Sequence, residues 1–299
     1  MVGILNAESR NKLRAVKLLR SFWYAIIPLF VLPFILHAQQ EYPPLTNIIS
    51  FEELTKKSLE RNVEWTNPDG SKEKLVIKEM AIPFDQRMID LTKEYIHAVY
   101  DLDSLWLDPK MIVFHAMGDG DLKTSLEISS FLHDQIPESW GNLSKAGKLP
   151  NGAHFIIDRD GTIICLSPPV SKEGSTSYSP ANHRWYIKRH QDGNPVAIGI
   201  ENVTQPGNFT DLTEAQILSN VKLAQWLFWF EHGKIKFMAS HHQFNNEKDY
   251  NRFLNFFELS NAQKQFRTTG RKDIGEKSLM TILDGIQKNR IPVQLFFKK

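Results

Sequence analysis

The sequence predicts an α/β fold, on three observations. From Met111 onward, short apolar runs of strand length alternate with segments of helical spacing. One of those segments, starting near Glu214, carries a full set of helix start and stop signals. Three strand-like runs also lead into chemically capable side chains, His115, Glu201 and His241. Open α/β sheets gather their sites at the carboxyl ends of strands in this way.

The first 38 residues read as a leader. Arg10, Lys12, Arg14, Lys17 and Arg20 stand against Glu8 alone, and an apolar stretch runs from Phe22 to Leu36 before the small residue Ala38. A basic start, a short apolar run and a small residue ahead of a polar stretch are the marks of a secretory signal peptide. A retained membrane anchor is the rival reading. The run falls short of the roughly 20 residues that a spanning helix needs, and Pro28 and Pro33 interrupt it. Both readings export the body of the protein.

Residues 39–108 read as a linker followed by a helical N-terminal extension. Gln39 to about Asn47 is polar and proline-bearing, and Phe51 to Arg61 and Gln86 to Tyr100 carry helical spacing. Met111 to His115 is the first expected strand, and Leu122 to Ile136 a helix halted by Pro137. His154 to Ile157 and Thr162 to Leu166 are strands joined by the turn signal Asp158-Arg159-Asp160-Gly161. Cys165, the only cysteine, lies inside the second of these and reads as a small core residue. No internal disulfide is open to the chain, so the fold must rest on its core.

Ala197 to Ile200 is a further strand. The helix from about Glu214 to His232 is the best specified element: Thr213 and Gln216 form a capping box, Leu212 and Ile217 a hydrophobic staple, and Gly233 the stop. Its apolar residues cover so much of its surface that it should pack on a sheet. Ile235 to Ala239 is the next strand, and Asp273 sits in the loop Gly270–Gly275 ahead of another helical pattern.

Of 299 residues, 41% are hydrophobic and 23% charged, with a formal net charge of +2. That positive balance belongs to the leader; the remainder holds 31 basic against 33 acidic residues. A near-neutral body offers no electrostatic footprint for nucleic acid.

His115, His241 and Asp273 together supply two imidazoles and one carboxylate, the ligand set of an open catalytic zinc site. Glu201 is placed to serve as a base for the water that completes such a site. The spacing is not a compact metal motif. A strand-end histidine has many structural uses, Asp273 also reads as a turn aspartate, and His154, His183, His190 and His242 compete for the role. The residues alone reach a candidate metal hydrolase and no further.

From about Phe84 to Asp284 the chain resembles the zinc-dependent N-acetylmuramoyl-L-alanine amidases of the type 2 family. The likeness rests on ordered blocks: Met111–His115, Ala153–Ile163, Arg189-His190, Ala197–Val203, Leu212–Gln216, Ser240-His241 and Arg271–Gly275. It implies a mixed central sheet flanked by helices, with zinc on His115, His241 and Asp273. It places Glu201 at the position of the catalytic acid and Arg271, with Lys272 adjacent, beside the developing charge. It also implies a domain over residues 109–290, a C-terminal tail at 291–299, and peptidoglycan or a muropeptide as substrate. We expect a monomer acting in the periplasm or cell envelope, with no nucleic-acid partner and no stable membrane span once the leader is removed. The chain departs from the family's usual residues at Ser240, Arg271 and Ile274, and carries an insert from Gln243 to Thr269. Three other readings stay open: a non-catalytic peptidoglycan-binding module of the same fold, a stem-peptide metallo-endopeptidase, and an adhesive or structural envelope protein. Asn142, Asn202 and Asn208 head glycosylation sequons, which matter only in a host that uses them.

Overall fold

Strand alternation builds one large mixed sheet. The computed structural model describes residues 55–80, 97, 100–102, 108–118, 120–124, 153–166, 196–260 and 273–297. All of them lie in one compact unit, Thr46–Pro137 with Lys148–Lys299. Among them are eight strands: β1 (Leu59–Thr66), β2 (Lys72–Glu79), β3 (Met111–Ala116), β4 (Phe155–Ile157), β5 (Ile163–Cys165), β6 (Ala197–Asn202), β7 (Phe237–Ser240) and β8 (Gln294–Leu295). Their order across the sheet is β1-β2-β5-β4-β6-β3-β7-β8. The β1–β2 and β4–β5 pairs are antiparallel and the remaining pairs parallel. Three helices accompany it, α1 (Glu214–Phe230), α2 (Glu247–Phe256) and α3 (Glu276–Lys288). The expected mixed sheet flanked by helices is the architecture observed.

Part of the extension, residues 59–79, differs from its expected helical form. Residues 59–61, which carry the end of a helical spacing, open β1 instead. The cause is local: Val63 and Trp65 alternate with polar residues, Leu75 and Ile77 do so in β2, and Asn67-Pro-Asp-Gly-Ser71 turns the chain between them. Gly70 has φ 88°, and its amide donates to the Asn67 carbonyl at 2.9 Å. The second expected helix, Gln86 to Tyr100, lies outside the described residues apart from His97 and Tyr100. The leader, the helix expected from Leu122 beyond Thr124, and Arg189-His190 also lie outside them. The last residues are more than a tail: β8 pairs in parallel with β7, and Phe296 and Phe297 are buried.

Helix α1 starts where its sequence directs and ends at Phe230, two residues before the expected His232, with Glu231 as its C-cap. Thr213 Oγ1 accepts from the Gln216 amide at 3.1 Å, and Gln216 Oε1 accepts from the Thr213 amide at 3.1 Å. The Thr213 hydroxyl donates to the Arg159 carbonyl at 2.7 Å, tying the helix start to the β4–β5 turn. Two left-handed residues close the other end: His232, at φ 48°, donates its amide to the Trp229 carbonyl, and Gly233, at φ 70°, donates to the Phe228 carbonyl. The helix buries Leu223, Ala224, Trp226 and Leu227 against one face of the sheet, with Trp226 edge-on to Phe155. Leu218 and Trp229 face outward. Helix α3 packs beside it closely enough that a Cβ on Gly285 would lie 2.6 Å from Val221.

On the opposite face a smaller apolar group forms from Met80, Met117, Ala153, Ile156, Ile164, Leu166 and Val203. Cys165 points away from it into the main core. Register aligns one row of residues on this second face: Lys78, Ile164, Ile156, Glu201 and His115. Among the described residues, no helix is long and apolar enough to cross a membrane.

Candidate metal centre

Parallel pairing of β3 and β6 sets His115 directly opposite Glu201. Paired residues on neighbouring strands share a face and stand about 4.8 Å apart in the backbone. Pleating therefore puts imidazole and carboxylate side by side on the face away from α1. Both are almost fully buried, at 3% and 2% exposure. Their strand ends stay joined beyond the sheet. The Met117 amide donates to the Asn202 carbonyl at 2.9 Å, and the Gly118 amide to Thr204 Oγ1 at 3.1 Å. Gly118 has φ 67°, and a Cβ there would collide with the Phe209 ring.

His241 follows the end of β7 and starts a short 3-10 turn, His241–Asn245. The turn decides which of the two adjacent histidines enters the site. His241 is fully buried and His242 half-buried, and His242 Nδ1 lies 2.8 Å from Ser240 Oγ. Strand alternation leads to the same choice, but the chain has left the strand by this point, so the turn is the physical reason.

Asp273 arrives from the loop before α3. The Ala116 amide donates to its Oδ1 at 3.2 Å, leaving Oδ2 directed at His241, 3.4 Å from Nδ1. The rings of His115 and His241 lie 4.7 Å apart, centroid to centroid. Ligand-type atoms of His115, His241 and Asp273 all fall within 4.8 Å of one another, and all three residues are buried.

This donor set fits zinc. Bonds of about 2.0–2.1 Å at tetrahedral angles separate two ligand atoms by about 3.3 Å, close to the 3.4 Å between His241 and Asp273. That approach is longer than the roughly 2.7–2.9 Å of a charge-assisted hydrogen bond. Three protein ligands also leave one tetrahedral position for water or substrate, as catalytic sites do. Among the described residues this is the one cluster of the kind.

Of the remaining candidates, His154 is the one among the described residues. His154 is buried and occupied structurally, its Nδ1 accepting from the Gly199 amide at 3.0 Å. His183, His190, Arg271 and Lys272 lie outside the described residues. Asn202 is fully buried, so its sequon is closed to glycosylation.

Sequence reasoning missed the supports behind the ligands. Asn202 Nδ2 donates to the His115 carbonyl at 3.2 Å, and Asn202 Oδ1 accepts from Asn220 Nδ2 at 2.7 Å. Asn220 also donates to the Gln216 carbonyl, and Gln216 Nε2 reaches the Ile157 and Val203 carbonyls at 3.2 and 2.8 Å. A polar chain thus runs from α1 through β6 to the backbone of His115. Gln216 and Asn220, four residues apart on an otherwise apolar helix face, were the legible signal of it.

Several solved structures show likeness at low identity. An N-acetylmuramoyl-L-alanine amidase, LysC from Clostridium intestinale URNW, is 19% identical over 53% of this chain and 96% of its own, with a TM-score of 0.32. The Staphylococcus aureus hydrolase AmiA, solved with its ligand, is 12% identical over 62% of this chain and 77% of its own, at 0.32. PGRP-Hd from Alvinella pompejana is 16% identical over 52% and 87%, at 0.27. Among proteins of curated function, none matches the chain by sequence. The family model described as N-acetylmuramoyl-L-alanine amidase matches residues 105–251, a span that contains His115, Glu201 and His241 and stops short of Asp273. Over that span the chain belongs to the type 2 N-acetylmuramoyl-L-alanine amidase family.

Proposed function

We propose that the protein is a zinc-dependent hydrolase that cleaves the amide between N-acetylmuramic acid and L-alanine in peptidoglycan. The observation that carries this reading is the buried cluster of His115, His241 and Asp273 with Glu201 in register beside His115, inside and adjoining the family-matched span. His115, His241 and Asp273 would hold the metal. Bound there, zinc supplies Lewis acidity, which acidifies a water toward a pKa of about 7 and polarises a carbonyl.

Glu201 then accepts a proton on its carboxylate from the attacking water, as the lactyl carbonyl carbon becomes tetrahedral. The same carboxylate returns that proton to the departing L-alanine nitrogen. Near-complete burial of Glu201 keeps bulk water from competing for it. The Arg271 guanidinium would face the charge that develops on the carbonyl oxygen; it stays protonated throughout and acts electrostatically. Reading residues 1–38 as a leader would bring the protein to such a substrate in the periplasm or envelope.

Glu201→Gln tests the reading against a non-catalytic binding module. The amide nearly matches the carboxylate in shape but cannot take the proton. We expect a loss of about 10²- to 10⁴-fold in release of alanine-headed peptides, followed by mass spectrometry of digested muropeptides, with zinc content unchanged. Near-normal turnover at matched zinc occupancy would remove Glu201 from the mechanism. Absence of both zinc and turnover in the native protein would favour the binding module.

A further inference from the structure

Ser240 lies directly before His241, and Ile274 directly after Asp273. The Ser240 hydroxyl donates to the Ile274 carbonyl at 3.1 Å, within a fully buried setting. A hydroxyl has one hydrogen. With that hydrogen on Ile274, the 2.8 Å approach of His242 Nδ1 to Ser240 Oγ requires the imidazole to donate. The order is therefore His242 Nδ1–H to Ser240 Oγ–H to Ile274 O, a chain in which each bond polarises the next. Ser240 is itself fixed from behind, because its amide donates to Gln243 Oε1 at 2.9 Å.

We propose that Ser240 is a positioning residue for the metal centre, its hydroxyl clamping the loop that carries Asp273 onto the strand end that carries His241. The proposal rests on the zinc reading above. Residues 273–275 are tied to neighbouring segments at successive positions. The Ala116 amide orients the Asp273 carboxylate, the Thr210 carbonyl takes the Gly275 amide at 3.2 Å, and Ser240 holds the peptide between them. The Ala116 bond ties this loop to the strand end that carries His115, and the Ser240 bond ties it to the one that carries His241. Without Oγ, the buried Ile274 carbonyl loses that partner in a region closed to water, and the peptide must turn to find another. Turning the Ile274 peptide moves the adjacent Asp273, and a site of this kind tolerates about 0.5 Å of displacement.

The test uses the full chain and zinc itself. Zinc affinity is measured by competition with a chelating indicator for wild type, Ser240→Ala, Ser240→Thr and Ser219→Ala, beside the ligand-field spectrum of each protein loaded with Co²⁺. Ser219 is the control: its hydroxyl also donates to a backbone carbonyl, that of Gly161 at 2.6 Å, but in the β4–β5 turn. Loss of a support behind a metal ligand typically weakens metal binding 10- to 100-fold. We expect that loss and a changed Co²⁺ spectrum in Ser240→Ala, substantial recovery in Ser240→Thr, and wild-type affinity in Ser219→Ala. Should Ser240→Ala not fold, Ser240→Cys replaces it, with a weak thiol donor in nearly the same volume. Wild-type affinity in the Ser240 variant overturns the clamp alone, and so does an equal loss in Ser219→Ala. A wild-type protein that binds no zinc overturns both the clamp and the metal reading.

Discussion

Replacing Glu231 with glutamine isolates a single buried charge far from any catalytic role. Glu231 caps the carboxyl end of α1, is 5% exposed, and its Oε1 takes no hydrogen bond. Burial pushes its carboxyl up to about 7 from the ordinary 4.5, with Asp108 adding to the rise and Lys234 opposing it. The negative end of the helix dipole acts in the same direction as burial. In the unfolded chain this group ionises near 4.5, whereas in the folded protein it keeps its proton until about 7. Folding therefore takes up a proton between those values, and stability falls as pH rises through that window. Each pH unit crossed between the two values costs about 1.36 kcal/mol, so the folded protein gives up about 1 kcal/mol by pH 5 and about 3 kcal/mol by pH 8. Glutamine has no proton to lose. Glu231→Gln should accordingly gain little over wild type at pH 5 and up to about 3 kcal/mol at pH 8. Urea unfolding of both metal-free proteins at the two pH values reads this difference directly. A gap between variant and wild type that does not change with pH would refute the reasoning.

Three further outcomes are expected. His115→Ala and His241→Ala should each fail to retain the one zinc per chain expected of the wild type, as measured by elemental analysis; undiminished zinc in either removes that residue from the site. Asn202→Ala removes the bonds to the His115 carbonyl and from Asn220 and opens a cavity, so it should lower stability by about 2–4 kcal/mol in denaturant unfolding. A loss under about 0.5 kcal/mol, the range of an ordinary surface substitution, would show the polar chain to be inert. N-terminal sequencing of protein from the exporting host should begin near Gln39, and an intact Met1 would favour the retained anchor.

The parts of the fold legible in the sequence are those specified locally. Capping at Thr213 and the Asp158–Gly161 turn each involve residues a few positions apart, and each is found where its residues place it; the stop at Gly233 acts too, though the helix ends two residues sooner than expected, with His232 sharing the left-handed turn. The β1–β2 hairpin was open to the same reading, since its period-2 alternation and Pro-Asp-Gly turn stand in the sequence; helical spacing just upstream obscured it. Strand order was out of reach. Nothing local to β2 says that it pairs with β5, because that choice depends on how distant apolar faces pack. The same division runs through the site. His115, Glu201, His241 and Asp273 were legible as residue types at element ends. The roles of Ser240 and Asn202 were not, because a serine beside a histidine, or an asparagine beside a glutamate, acquires meaning only when Ile274 or Asn220 arrives from elsewhere.

The hydrogen bond from the Ala116 amide to Asp273 joins residues 157 positions apart. Between them the chain must complete β4, β5, β6, α1, β7 and α2 before the third ligand reaches the first two. No fragment that ends before Asp273 contains the full donor set, so under the proposed zinc reading metal uptake would report on the finished domain. An ion that binds only the finished state acts as a latch: it stabilises by RT ln(1 + [Zn]/Kd), and each tenfold excess over Kd adds about 1.4 kcal/mol. Limited proteolysis, with and without a chelator, would therefore register the metal across the whole domain, in segments as remote from the ion as the β1–β2 hairpin.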